Sequence, residues 1–326
     1  MVSMSMMAVS HSCFDSLSRA ADAVPGLRID FAQLEGGQCG IEVFSALHGP
    51  FRLIQWRVEK RVHHLGVAPL GRVGLAVHAV QNLTLNSHGE LFDENAIVLT
   101  PGGCAIDSVA PDETNLFGLS VEEGAFANMV KASGCPVALP NQGPIRLLSP
   151  SPEAMGRLRS ALWELRETAL NGRSGGPAWE AVAGSLAACL ASLDGPGRMP
   201  EESRRRRVVR RSLGYIGENL ASPLKLSDIC RIVGVSERTL IYAFKEHLGL
   251  TPKAYLNICR LNMVRREMEC GRATSITDAA TRWGFWHMGQ FSADYKRFYG
   301  ELPSRTLARV RGRLPGPDQG RRFSTP

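Results

Sequence analysis

The sequence predicts a two-domain α+β chain: a β-rich domain with a helical hairpin behind it, then an all-α domain carrying two helix-turn-helix units. Three observations predict this. Short stretches of alternating apolar and polar residues fill the first 120 residues, and apolar positions at three- and four-residue spacing take over from about Pro152. Near the C-terminus, one pattern of about 50 residues is written twice. A length of 326 residues suits two domains, and a 44% apolar fraction is ample for two cores.

In the N-terminal region, alternation appears at 40–47, 51–58, 72–80, 82–86, 96–100, 104–109 and 114–120, separated by Gly, Pro and Asn-Ser turns. Many short strands at regular spacing predict a sandwich or barrel over residues 1–150. A metal centre on converging strands would need His-x-His with a downstream Glu and His, so that several imidazoles meet at one ion. Here His63 and His64 are adjacent and point to opposite faces, while His78 and His88 stand alone. No metal or other cofactor is expected. No nucleophile-and-base motif or phosphate loop appears, so the chain is not expected to be an enzyme.

The helical period is carried by Met155, Leu158, Leu162, Leu165 and Ala169, then, after a break at 172–177, by Val182, Leu186, Cys189, Leu190 and Leu193. Residues 151–195 thus read as a hairpin of two helices, which either packs on the β-domain or pairs with its copy in a second chain. A Gly- and Pro-rich stretch marks a linker at 196–206, which runs into the arginines 204–207. Adjacent residues on a helix point in different directions, so at most two of these arginines face one partner at once; the run reads as a solvated, generally attractive helix start.

Asp228 and Gly234 recur at Asp278 and Gly284, 50 residues on, whereas Lys245, Gly249 and Pro252 recur at Lys296, Gly300 and Pro303, 51 residues on. One extra residue therefore follows the second turn glycine. In each copy a small residue, Cys230 or Ala280, allows close crossing of two helices, and a glycine, Gly234 or Gly284, supplies the positive φ of the turn. Ser227 and Thr277 are the expected N-caps, with Asp228 and Asp278 suiting the positive end of the helix dipole. Two such units in register are built to read DNA.

The second helix of the first unit buries Leu240, Phe244 and Leu248 on one face and presents Arg238, Tyr242 and Lys245 on the other. Arg238, near the leading end, is the expected base reader, Tyr242 a second, and Lys245 a phosphate contact. The matching face of the second unit falls on Gly289, Ala293 and Lys296. Base reading there is expected from His287, Met288 or Gln290, and phosphate contact from Lys296 and Arg297. Arg260, Arg265 and Arg266, on the connecting helix, are expected to make surface or intradomain pairs.

Residues 207–309 resemble the DNA-binding domain of the AraC/XylS family of bacterial transcription regulators. The resemblance rests on Ser236-Glu-Arg-Thr-Leu, Phe244-Lys-Glu-His-Leu-Gly-Leu-Thr-Pro, Arg260-Leu-Asn, Ile276-Thr-Asp-Ala-Ala, Trp283-Gly-Phe, Phe291, Tyr295-Lys-Arg-Phe-Tyr-Gly and Pro303. It covers about a third of the chain. One departure stands out: after Gly284-Phe285 the family usually has a small polar residue, and here Trp286-His287-Met288-Gly289 intervenes. The resemblance implies a cupin-like (jelly-roll) sensor domain for residues 1–150, where Leu99-Thr-Pro-Gly is similar to a turn common in such domains, and it favours activation.

Composition points the same way. Residues 201–326 carry 24 Lys and Arg against 12 Asp and Glu, a net +12, whereas residues 1–200 carry 14 against 19, a net −5. The basic part is the part with the repeats, as counterion release from a polyanion requires. Eight cysteines without a CxxC pair read as reduced core thiols, and no run of 18 apolar residues or leader pattern occurs, so a cytoplasmic protein off the membrane is expected. The expected domains are 1–150, 151–195, the linker 196–206, the DNA-binding domain 207–310 and a disordered tail 311–326. The expected function is sequence-specific transcription regulation under a small effector, with a constitutive or architectural DNA-binding protein as the alternative. Candidate partners are double-stranded DNA, the effector, RNA polymerase and a second copy of the chain.

Overall fold

Alternation in the N-terminal part becomes two antiparallel sheets. The computed structural model describes residues 8–21, 28–80, 85–87, 90–135, 145–173, 175–200 and 203–312. Its elements fall into two units, the first holding 1–14, 20–31 and 40–201, the second 15–19, 32–39 and 202–326.

The first elements are β1 (Ala8–Phe14), α1 (Leu17–Ala21), β2 (Arg28–Gln33), β3 (Ile41–His48), β4 (Phe51–Val58), β5 (Val62–Val67) and β6 (Arg72–His78). They are followed by β7 (Leu85–Ser87), β8 (Glu90–Phe92), β9 (Ile97–Thr100), β10 (Ala105–Ala110), β11 (Thr114–Glu122), α2 (Glu123–Ala132) and β12 (Arg146–Leu148). One sheet has the order β1-β3-β4-β11-β6-β9-β12 and the other β2-β5-β10-β7-β8. Alternation located β3, β4, β6, β9, β10 and β11 to within two residues; of the expected 82–86 strand, 82–84 lie outside the described residues.

Period two divides the larger sheet. Phe44, Leu53, Leu75, Val77, Phe117 and Leu119 are buried in one core with Met155, Leu158, Leu162 and Leu165 of α3 (Pro152–Leu170) and Val182, Leu186 and Leu190 of α4 (Gly176–Ala191). Burying each such side chain contributes about 1.5–3 kcal/mol. Of the two options for the hairpin, its apolar stripe is used against the sheet of its own chain, so that stripe is not available to a second copy. Trp163 fixes the arrangement by donating its indole N–H to the Ala79 carbonyl at 2.9 Å.

The opposite face of this sheet meets the second sheet. Trp56 lies 5.0 Å from Phe31, Phe31 lies 4.8 Å from His64, and His78 lies 4.9 Å from Phe92. Gly74 and Gly118 stand on this face, flanked by core residues of the other. A Cβ at Gly118 would meet only Ile54 O, at 3.8 Å, and one at Gly74 only Thr100, at 3.6 Å or more; both neighbours belong to the same sheet. Among the described residues, no atom of the second sheet comes within 4 Å of either Cβ position. On the second sheet, His64, Ser108 and Ser87 form a buried cross-strand row. His64 Nε2 and His78 Nδ1 are buried without a hydrogen-bond partner. Burial first, and then the neighbouring His63, drive the His64 pKa down to about 3, so this ring is neutral at pH 7. His63 points the other way and bonds Asp107 at 2.8 Å.

The second unit contains α5 (Arg204–Asn219), α6 (Leu226–Val233), α7 (Glu237–Leu248), α8 (Pro252–Glu269), α9 (Ile276–Arg282), α10 (Met288–Tyr299) and α11 (Pro303–Val310). The long α8 is the connecting helix, and its Tyr255, Ile258, Leu261 and Met268 are buried as its period requires. Several expectations need correcting. Residues 15–19 and 32–39 cluster with this unit: Asn262 bonds both backbone groups of Gln33, and the Gly37 N–H donates to the Phe298 carbonyl. These are backbone bonds that carry no side-chain period, so the 1–150 span is not one contiguous piece. Helix α5 starts inside the expected linker because Ser203 caps it by accepting from the Arg206 N–H, and Arg198 pairs with Leu147. The cysteines form no disulfide among the described residues, yet Cys13 and Cys270 are exposed rather than core residues. Residues 313–326 of the expected tail lie outside the described residues.

Candidate nucleic-acid interface

The first unit is α6 and α7. Helix α6 ends where Gly234 takes φ 71°, a conformation that only glycine adopts without strain. The expected cap Ser227 lies inside the helix. Lys225 is the N-cap residue, and its N–H donates back to the Asp228 carboxylate at 3.2 Å. Helix α7 is capped by Ser236, whose hydroxyl accepts from the Thr239 N–H, and ends at Gly249, with φ 68°. It buries Leu240, Ala243, Phe244 and Leu248 and leaves Arg238, Tyr242 and Lys245 exposed. The Arg238 guanidinium lies over the Tyr242 ring, 5.5 Å from its centroid, so one end of the helix presents a pre-ordered cation on an aromatic platform. Cys230 is half-buried at the α6 crossing.

From α5, Arg205 pairs with Glu246 of α7 at 2.5 Å, and Arg211 donates to the Ile232 carbonyl at the end of α6 at 2.9 Å. Arg205 thus ties α5 to α7, and Arg211 ties α5 to α6.

The second unit is α9 and α10. The expected cap Thr277 also lies inside its helix; Ser275 caps α9 by accepting from the Asp278 N–H at 3.0 Å. Ala280 is fully buried, and Gly284 turns the chain at φ 83°. The additional residue inferred from the change in spacing is visible: two residues separate Gly234 from α7, and three separate Gly284 from α10. Helix α10 buries Phe291, Tyr295 and Tyr299 and leaves Gly289, Gln290, Ala293, Lys296 and Arg297 exposed. Gln290 and Arg297 both donate to Asp294, at 2.9 and 2.5 Å. His287 is exposed, whereas Met288 is half-buried against the core of this unit, which leaves only part of it facing outward.

Beneath both units, Arg260 of α8 donates to the carbonyls of Leu220 and Ser222, at 3.1 and 2.6 Å. Arg265 is buried between Glu269 and Glu301 and lies over the Tyr299 ring. Both make intradomain contacts. The exposed side chain that sequence reasoning missed is Trp286, for which the break from the expected small residue was the signal.

The model of a helix-turn-helix domain matches residues 229–309. A probable thc operon regulatory protein of Rhodococcus erythropolis is 36% identical over 105 residues, 32% of this chain and 32% of that protein. XylDLEGF operon transcriptional activator 1 of Pseudomonas putida is 33% identical over 111 residues, 33% of this chain and 34% of that protein. The chain thus spans about a third of the length of these curated relatives. The solved structure of a probable AraC family transcriptional regulator from Rhodopseudomonas palustris is 32% identical, with 32% of this chain covering 96% of that one at a TM-score of 0.30. The chain belongs to the AraC/XylS family. Sequence identity carries that assignment, and it falls on the two helix-turn-helix units. The AraC/XylS relatives are transcription regulators rather than enzymes. Among the described residues, no helix is long and apolar enough to cross a membrane.

Proposed function

We propose that the chain is a sequence-specific DNA-binding transcription regulator, of activating sign, working in the cytoplasm. The observation that carries this reading is the pair of in-register helix-turn-helix units, each with a second helix that buries one face and leaves the other exposed. Arg238 and Tyr242 read base edges in the major groove, and Lys245, Lys296 and Arg297 hold phosphates. His287, Gln290 and the outward part of Met288 complete the reading end of the second helix. Two helices entering successive major grooves on one face place their contacts about 10 base pairs apart.

The face of the larger sheet that carries Gly74 and Gly118, where a Cβ would meet no atom of the second sheet within 4 Å, is the effector site in this reading, inside a cupin-like domain. His64 and His78 offer uncharged hydrogen-bonding groups there, and Trp56 and Phe31 an aromatic wall, which suits a small uncharged ligand. A ligand acts only through unequal affinity for two arrangements of the protein. RNA polymerase and a second copy of the chain remain the further partners of the proposal.

Selection of duplexes from a random pool by the full chain at moderate salt tests the DNA-binding reading: an enriched motif with two half-sites is expected, and no enrichment over competitor overturns it. Thermal shift of the full chain across a panel of small metabolites tests the sensor role. A rise in melting temperature that Gly118→Leu abolishes supports it, and no rise across a broad panel favours a constitutive DNA-binding protein.

A further inference from the structure

Trp286 is 71% exposed, although it sits next to the core of the second unit. It stands just before the N-cap residue His287, the place from which an apolar side chain usually folds down onto the fourth residue of the helix, here Phe291. That contact is already made by its neighbour: Phe285 packs on Phe291 at 5.0 Å and belongs to the core. Trp286 is thus directed out of the turn, at the leading edge of α10, where it packs on nothing in the core.

The face of α10 behind it is unusual for a reading helix. Gly289 and Ala293 are exposed and carry almost no side chain, and Gln290 is drawn to Asp294. With so little bulk at Gly289 and Ala293, the leading half of the helix seats close to a groove floor, which brings a projecting residue at its leading end within reach of base edges. The faces of duplex bases are stacked and inaccessible to a side chain in the major groove. The one apolar feature of the edges is the thymine 5-methyl group.

We propose that Trp286 is a specificity-determining residue of the second unit, its indole packing against a thymine methyl in the half-site read by α10. The proposal rests on the DNA-reading function above. It adds base selectivity by apolar contact to the second unit, beside the polar groups of His287 and Gln290.

The test uses the full-length protein and the duplex that the wild type selects. Thymines of the second half-site are replaced one at a time by deoxyuridine, which removes only the methyl group. Wild-type protein is expected to lose about tenfold in affinity at one of these positions. Trp286→Ala is expected to lose a similar factor on the thymine duplex and to be indifferent to the methyl at that position, with Trp286→Gln repeating the result. Melting temperatures of both variants should match wild type, since the side chain packs on no core. Wild-type affinity for the thymine duplex in either variant, or undiminished sensitivity to deoxyuridine, overturns the proposal while leaving DNA reading intact. Failure of the wild type to select any duplex overturns both.

Discussion

Arg238 and Tyr242 are one helical turn apart on α7, and the guanidinium of the first rests over the ring of the second, 5.5 Å from its centroid. Both side chains are exposed, so the guanidinium N–H donors are open to a partner. In the proposed reading, these donors make a bidentate contact to guanine O6 and N7.

Replacing Arg238 by Ala should therefore cost about 1–3 kcal/mol on the preferred duplex and flatten base preference at one position of the first half-site. Tyr242→Phe keeps the ring and should cost less. Titration against single-base variants of the selected duplex checks both. An equal loss on every duplex would instead make Arg238 a phosphate contact.

The lysines should behave in the opposite way. Lys245 and Lys296 are exposed at corresponding positions of α7 and α10, and a lysine on a phosphate supplies affinity without sequence information. Lys245→Ala and Lys296→Ala should each weaken binding to all duplexes alike. Each should also reduce the slope of log affinity against log salt by about 0.9. Binding measured across a range of salt concentrations decides; an unchanged slope removes that lysine from the interface.

How much of this was legible in the sequence depended on which signal each feature carries. Glycine turns and buried faces recur at fixed spacing, so the two units and even the additional residue after Gly284 could be read directly. Ser227 and Thr277 looked like caps, but Lys225 and Ser275 hold those positions because the helices start earlier, and a Ser or Thr within the first turn gives nearly the same pattern. Strand β5 begins Val62-His-His-Leu, with both histidines buried on opposite faces, which erases the alternation that marked its neighbours. Strands β7, β8 and β12 are three residues each, too short to show a period. Trp286 could be seen as a departure from a pattern, while its exposure follows from Phe285 having taken the inward place.

The two glycines of the second unit should respond differently to substitution. Gly284 has φ 83°, and a Cβ there would lie 3.2–3.4 Å from the Arg260 guanidinium, which is itself tied to Leu220 and Ser222. Gly284→Ala should lower stability by about 1–3 kcal/mol. Gly289 is helical with open space at its Cβ, so Gly289→Ala should raise stability by up to about 1 kcal/mol. Denaturant unfolding monitored on the helical signal measures both. A neutral Gly284→Ala would mean that the turn relaxes freely.

Acid should destabilise the β-domain through His64. Its folded-state pKa is about 3, well below the ordinary value of 6.5, because burial first and His63 second disfavour the charged ring. The unfolded chain therefore binds a proton between pH 6.5 and 3 that the folded chain refuses. Stability is fully present above pH 6.5 and is lost as pH falls toward 3, at up to about 1.4 kcal/mol per pH unit for one such group. His64→Phe removes the group. Its melting temperature should fall less steeply than that of wild type between pH 7.5 and 5, whatever its value at neutral pH. Parallel slopes for the two proteins over that range would show that His64 takes up its proton without unfolding.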